Sequence, residues 1–469
     1  MPSAFWAKWE LSSWPFKHFT MTKRRYFGTD GIRGRVGEFP ITPDFVMKLG
    51  WAAGKVLGAG RNSSVLIGKD TRVSGYMFES ALEAGLSAAG VNTFLVGPMP
   101  TPAIAYLTQI VNANAGIVVS ASHNLHSDNG IKFFANNGKK LDDKVELQIE
   151  KQLESPIEIV SSQFLGKAER IDDAPDRYVE FCKRILSPKA DLRGLKVVLD
   201  CANGAAYHVA PKIMRELGID VKAIGVSPDG FNINAGCGST APSTLQNEVL
   251  ANHAHLGVAF DGDGDRVIMV DHKGEVVDGD EILYVIAENR QRTENLGVVV
   301  GTLMSNFGLE EGLAKLNVEL VRANVGDRYV IETMDRTGAT LGGEASGHII
   351  CLDHQTTGDG ITAALQVFSA LKFSGKRLHE LKKGMVKYPQ YTVNVKTAGR
   401  VSNEDLESFG DAITEVETVL GPTGRVLLRP SGTEPLVRVM VEGRDLEHVR
   451  FLAESLANKV ESIINARQN

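Results

Sequence analysis

A unit that recurs three times constrains this chain most: a short apolar strand, a polar loop, a helix with one apolar stripe, and a second strand. The run VLIGKD (65–70) reads as a strand; a helix over 76–89 follows, with Phe78, Leu82, Leu86 and Ala89 on one face, and then a strand over 91–97. The same order follows LKVVLDCANGAAY (195–207), with the next strand at 219–225. It returns at GVVVGTLMSNFG (297–308), with a helix through Leu316 and a strand at 318–321. The strand starts at Val65, Val197 and Val298 lie a domain's length apart, too far for a solenoid. Three tandem α/β domains of similar build, with mixed sheets, are expected.

The end of the chain breaks the pattern. A strand over 391–395 precedes a helix carrying Leu406, Phe409, Ile413, Val416 and Leu420. Two strands, GRVLLRP and PLVRVMVEG, are joined by SGTE, and Asp445 is placed to cap a final helix with Leu446, Val449, Leu452 and Leu456 inward. This reads as a small α+β domain. The expected boundaries are 21–174, 175–275, 276–386 and 387–469. Residues 1–20 differ in character from the rest of the chain: three of the four tryptophans (Trp6, Trp9, Trp14) sit there, and Met21 opens the basic TKRR. A disordered tail, or a true start at Met21, is expected.

Composition excludes several classes. A net charge of −6 argues against a general nucleic-acid binder, and no apolar run reaches the length of a membrane span. Cys182, Cys201, Cys237 and Cys351 are far apart with no C-x-x-C pair, so they read as reduced thiols of a cytoplasmic protein.

Several loops carry chemistry. In GIVVSASHNLHSDNGIKFF (116–134) an apolar strand ends at Ser120, Ser122 and His123, with Lys132 on the next strand. A hydroxyl at a strand tip beside an imidazole reads as a presented nucleophile, or as a hairpin whose polar tip is merely solvated. YFGTDGIRGR (26–35) is a glycine-rich loop with Asp30, Arg33 and Arg35, suited to clamp an anion. After the strand at 257–260, DGDGDR alternates Asp261, Asp263 and Asp265 with glycine, and three such carboxylates converge on one hard cation of the magnesium type. GGEASGH (342–348) offers Glu344, Ser346 and His348 to sugar hydroxyls, or is a polar turn. RPSGTEP (429–435) joins Arg429 to Ser431, Gly432 and Thr433 as an anion nest, with Arg438 adding charge, or is a Pro/Gly hairpin turn. VRANVGDRYV (321–330) brings Arg322, Asp327 and Arg328 around Gly326, either a phosphate or sugar contact or a surface turn.

Taken in this order, SASHN, DGDGDR, GEASGH and RPSGTEP resemble the loops of the α-D-phosphohexomutase family, from about Tyr26 to the C-terminus. The opening YFGTDGIRG, the SASHN form and VGDRYV are most similar to its bacterial glucosamine-phosphate branch. The resemblance implies four domains around one central cleft, each giving one loop. It implies that Ser122 carries phosphate, that Asp261, Asp263 and Asp265 bind one magnesium ion with a phosphoserine oxygen, and that Glu344, Ser346 and His348 bind sugar. Arg429, Ser431, Gly432 and Thr433 would grip the non-reacting phosphate. Arg33, Lys132 and Arg266 would lie near the reacting hydroxyl, with Lys132 preferred over His123 as general base. The implied reaction interconverts glucosamine 6-phosphate and glucosamine 1-phosphate through a 1,6-bisphosphate intermediate, feeding amino-sugar precursors of the cell envelope. The implied partners are small sugar phosphates, with no nucleic acid and no membrane, for a monomer or homodimer.

Two departures stand out. Leu125-His126-Ser127 replaces the proline and aromatic residue usual after SASHN, and Ala345 replaces the glutamine common in this branch's sugar loop. Three rival readings remain: a phosphomannomutase/phosphoglucomutase on the same loops, an aspartate-nucleophile phosphatase in which Asp261 of FDGDGDR forms the phosphoenzyme, and a non-catalytic sugar-phosphate sensor on the same scaffold, against which the complete set of Ser122, three aspartates and Lys132 argues.

Overall fold

The computed structural model describes residues 24–58, 60, 62–186, 190–397, 406–430 and 435–468. The expectations for residues 1–20 lie outside them. Four sheets are formed. The first contains β1 (Ile32–Arg35), β2 (Ser64–Lys69), β3 (Asn92–Pro98), β4 (Ala115–Val119), β5 (Asp128–Ala135) and β6 (Ala168–Arg170), in the order β1-β5-β4-β2-β3-β6. The second contains β7 (Lys196–Asp200), β8 (Asp220–Ile224), β9 (Leu256–Phe260), β10 (Val267–Asp271) and β11 (Val276–Val277), in the order β11-β10-β9-β7-β8. The third contains β12 (Val298–Thr302), β13 (Glu319–Ala323), β14 (Leu341–Gly343) and β15 (Ile349–Cys351), in the order β13-β12-β14-β15. The last contains β16 (Gln390–Lys396), β17 (Gly424–Pro430) and β18 (Leu436–Gly443), with β18 central and all pairs antiparallel.

One kernel underlies the first three sheets. β2, β7 and β12 each pair in parallel with the next strand across a helix, β3, β8 and β13. Each then pairs on its other side with β4, β9 or β14, again in parallel. An antiparallel strand, β5, β10 or β15, completes the set. The three sheets are therefore mixed, as the recurring pattern predicts. Strands such as AGIVV (β4) and LGVAF (β9) are buried throughout, as expected where helices cover both faces.

This topology explains where the motifs fall. SASHN links β4 to β5, DGDGDR links β9 to β10, and GEASGH links β14 to β15. All three occupy the same turn of the kernel, at the carboxyl end of a parallel strand, where open α/β sheets place their ligands.

The three α/β units share one apolar core, to which Leu66, Ile104, Tyr178, Leu199, Phe260, Ile282, Leu313 and Phe368 all belong. Ion pairs add to this: Lys140 reaches Asp327 at 2.5 Å, and Arg328 reaches Asp143 and, at 2.8 Å, Glu146. The C-terminal unit has a separate core of Val395, Phe409, Val437, Val441 and Leu456. Its final helix (Leu446–Gln468) is capped as expected, the Asp445 carboxylate accepting from the His448 amide at 2.8 Å. Its bond to the third unit is polar. Arg425 donates to the buried Glu442 at 2.5 Å and to the carbonyls of Leu303 (2.8 Å) and Ser305 (2.7 Å), while Glu442 also accepts from the Phe307 amide at 2.8 Å. Among the described residues no helix is long and apolar enough to cross a membrane.

Asp280 lies at the root of this junction, its carboxylate accepting from the Asn306 amide at 2.8 Å. Burial, then the neighbouring charge of Asp278, pushes its carboxyl up to about 7 from the ordinary 3.8. Between those values the folded chain holds a proton that the unfolded chain has released. Stability therefore falls as pH rises from about 4 to about 7, by up to about 4 kcal/mol in all. Asp280→Asn is expected to remove this limb: its thermal midpoint should match that of the parent only below about pH 4, and should exceed it by a margin that grows up to about pH 7. Parallel midpoint-against-pH curves for the two proteins would contradict the assignment.

Candidate active site

Ser122 sits at the end of β4 with a left-handed backbone, φ 52°, and is almost fully buried. Its hydroxyl donates to Asp261 Oδ2 at 2.6 Å, so the first unit's serine touches the second unit's acidic loop. His123 Nδ1 lies 3.4 Å from the same Oγ. Burial, then the cations of Arg266 and Arg33, hold the half-buried His123 below its ordinary value, which favours the neutral ring at neutral pH.

The acidic loop is buried with three carboxylates facing one another. Asp261, Asp263 and Asp265 each offer an oxygen within 4.8 Å of the others. Burial, then Asp265 and Asp263, pushes the Asp261 carboxyl well above its usual range. Burial would raise Asp265 too, but Lys132 and His348 outweigh it and hold that carboxyl well below. Lys132 donates to Asp263 at 2.8 Å and Asp265 at 3.2 Å, and lies 3.1 Å from Asp30. Burial opposes its charge, yet Asp263, Asp30 and Asp265 together hold the ammonium well above the ordinary lysine value. Thr101 Oγ1 also donates to Asp263, at 2.6 Å.

This donor set fits a hard divalent cation. Asp263 Oδ1 and Asp265 Oδ1 are buried and have no hydrogen-bond partner, which is costly unless something positive answers them. Another group, Asp271, Glu275 and His379, is equally close-set, but neither of its carboxylates has a buried oxygen without a hydrogen-bond partner.

A cavity of about 470 Å³ opens beside the acidic loop, lined by Asp30, Arg33, Asp265, Arg266, Asp327, Glu344 and His348. Four residues expected from three motifs (Arg33, Arg266, and Glu344 with His348) thus share one space. Arg33 pairs with Asp30; the buried Nε atoms of Arg33 and Arg266 have no hydrogen-bond partner, Arg266 Nε lying 3.9 Å from Asp265. Glu344 accepts from the Gly326 amide at 3.1 Å. His348 is buried, with Nδ1 3.7 Å from Asp265 and Nε2 3.7 Å from Asp327. Ser346 is exposed at the loop's tip.

Arg429 and Arg438 are cross-strand partners on β17 and β18. Burial, then the neighbouring charge of Arg438, pushes the Arg429 guanidinium down, and among the described residues no carboxylate pairs with either. Ser431, Gly432 and Thr433, expected to complete that anion site, lie outside the described residues.

Lys132 holds its proton firmly among three carboxylates. Other residues of the motifs lie away from the cavity. Arg35 is on the surface beside Glu38, not in the cleft. Arg322 folds onto the carbonyls of Ser305 (2.6 Å) and Thr302 (3.1 Å), and Arg328 onto Asp143 and Glu146; neither lines the cavity. Conversely, Asp30 and Lys140 matter more than the motifs suggest: Lys140 sits 2.5 Å from both Asp30 and Asp327, tying the glycine-rich loop to the third unit.

Comparison with known proteins gives one consistent result. Residues 24–159, 176–274 and 278–388 match the alpha/beta/alpha domains I, II and III described for phosphoglucomutase/phosphomannomutase, and residues 393–459 match its C-terminal domain. The chain is 60% identical over 439 residues to a phosphoglucosamine mutase of Nitrosococcus oceani, which covers 93% of this chain and 97% of that protein. It is 60% identical over 440 residues to a phosphoglucosamine mutase of Aeromonas salmonicida, covering 94% and 99%. A crystal structure of a phosphoglucomutase/phosphomannomutase family protein from Burkholderia thailandensis superposes with a TM-score of 0.78 at 25% identity, covering 94% and 98%.

Proposed function

The chain belongs to the phosphoglucomutase/phosphomannomutase family, and from that premise we propose that it is an isomerase interconverting glucosamine 6-phosphate and glucosamine 1-phosphate. The choice of sugar is supported by the relatives, which are phosphoglucosamine mutases at 60% identity over nearly their whole length. The choice of nucleophile rests on one observation above the others: the Ser122 hydroxyl lies 2.6 Å from Asp261, at the edge of the three-carboxylate loop.

Phosphorylated Ser122 gives its phosphoryl group to O1 of glucosamine 6-phosphate. The P–Oγ bond breaks as the P–O1 bond forms, and the O1 proton passes by way of the base to the departing Ser122 Oγ. The resulting 1,6-bisphosphate turns over in the cleft, returns its 6-phosphoryl group to Ser122, and departs as glucosamine 1-phosphate. Arg33 and Arg266 direct two cations into the cavity that must hold the phosphates. Glu344, Ser346 and His348 bind sugar, and Arg429, Ser431, Gly432, Thr433 and Arg438 grip whichever phosphate is not reacting. His123, neutral and 3.4 Å from Oγ, is the base that the described geometry offers directly. Lys132 can serve as base only once Asp263 and Asp265 are answered by another cation. Asp261, Asp263 and Asp265 would hold that cation, magnesium by its preference for carboxylate oxygen, and when bound it offsets the charge on the transferring phosphoryl oxygens.

The linkage of the phosphoenzyme tests this reading against the phosphatase alternative. Protein labelled with bisphosphate should carry an acid-stable, hydroxylamine-resistant phosphate that maps to Ser122. A hydroxylamine-labile acyl phosphate on Asp261 would sink the mutase mechanism.

A further inference from the structure

Arg72 lies just beyond β2 and is fully buried, yet its guanidinium touches no part of the cleft cavity. It has five N–H donors, and all five are spent on the serine loop and its support. Nε donates to Asp70 Oδ2 at 2.8 Å. One terminal nitrogen donates to the carbonyls of Leu125 and, at 3.0 Å, Asp128; the other donates to those of Ser122 at 3.0 Å and Asn124 at 2.7 Å. Asp70 in turn accepts from Ser120 Oγ at 2.6 Å, and Ser120 Oγ accepts from the Ser122 amide at 2.9 Å. A second clamp comes from the neighbouring unit: Asn234 Nδ2 donates to the carbonyls of Ser122 and Asn124, both at 2.9 Å. Gly262 closes the arrangement, since a Cβ there would stand 2.6 Å from the Ser122 carbonyl oxygen and 2.7 Å from Asn234 Nδ2.

These bonds converge on the one residue of the loop whose backbone is left-handed without being glycine. A non-glycine residue at φ 52° is held there by its surroundings, not by preference. We propose that Arg72 and Asn234 are positioning residues that hold the Ser122 carbonyl from two units and thereby fix the direction of its hydroxyl for phosphoryl transfer. This rests on the reading of Ser122 as the phosphorylated serine. The loop lacks the proline and aromatic residue usual in its family; Leu125, which stands there instead, is exposed and contributes its carbonyl to Arg72. Backbone clamping therefore does here what a stiffer sequence could do by itself.

The test is steady-state turnover of glucosamine 6-phosphate by Asn234→Gly, Arg72→Lys and Ser122→Ala, with thermal unfolding of each. Asn234 has φ 59°, which glycine adopts freely, so Asn234→Gly deletes the two donors while keeping the local backbone. Misplacement of the nucleophile should lower kcat about 10-fold in Asn234→Gly and about 100-fold in Arg72→Lys, with KM changed less than about two-fold. Lysine cannot reproduce five donors in one plane. If Arg72→Lys does not fold, Asn234→Gly decides alone. Wild-type kcat in Asn234→Gly, a change confined to KM, or a loss that disappears when rates are expressed per folded molecule would overturn the proposal. Full activity in Ser122→Ala would instead remove the underlying reading, and is thereby distinguishable.

Discussion

Ser122→Ala should lower kcat by at least about 10⁴-fold, the scale on which a covalent nucleophile acts, and should leave no phosphate on the protein after incubation with bisphosphate. The fold should survive. The structural bonds of Ser122 run through its amide and carbonyl, to Ser120, Arg72 and Asn234, and alanine keeps them. Only the hydroxyl's bond to Asp261 and its longer contact with His123 Nδ1 are lost, so the thermal midpoint should move by no more than a few degrees. Turnover above about a tenth of the parent rate, in protein shown to be free of it, would mean that another group carries the phosphoryl.

The second large effect is expected at the acidic loop. Asp263 accepts from both Lys132 and Thr101 through Oδ2 and leaves Oδ1 buried without a partner. Asp263→Asn keeps the shape but removes one of the three charges that a cation and Lys132 both need. Turnover should fall about 10³-fold and should not recover at saturating magnesium. Glu275→Gln, in the other close-set carboxylate group, is the control and should retain the parent rate. Equal small losses in both variants would indicate a general electrostatic effect, not a dedicated cation site.

Much of this architecture is legible in the sequence because it depends on local pattern. The strand, loop, helix, strand order repeats in plain view, and β2, β7 and β12 start within one residue of the expected Val65, Val197 and Val298. The DGDGDR carboxylates are legible for a similar reason: alternation on a glycine loop leaves them nowhere to go but together. The equivalence of the three chemical loops is not legible, since SASHN, DGDGDR and GEASGH share no common motif; only strand pairing shows that they are one turn used three times. Arg72 is hidden because its partners are backbone carbonyls fifty or more positions away, and carbonyls leave no trace in a sequence. Arg322 and Arg328 show the converse. An arginine that grips phosphate and one that ties two units together look alike in one dimension, and only the carbonyls and carboxylates they reach tell them apart. The helix expected from residue 76 begins at Val73: the Val-Ser-Gly stretch ahead of it has weak helical preference by itself, and its first turn is held by the Val73 amide on the Gly230 carbonyl (3.0 Å) and the Gly75 amide on the Arg72 carbonyl (2.9 Å).

The central claim is the reaction on an amino sugar, and substrate competition reads it most directly. With magnesium and a trace of bisphosphate, kcat/KM should be compared for glucosamine 6-phosphate, glucose 1-phosphate and mannose 1-phosphate, with Ser122→Ala alongside. A preference of at least about 10-fold for the amino sugar, lost in the variant, is the expected result. A preference for glucose or mannose phosphate that also depends on Ser122 would contradict the amino-sugar assignment while keeping the phosphoserine chemistry.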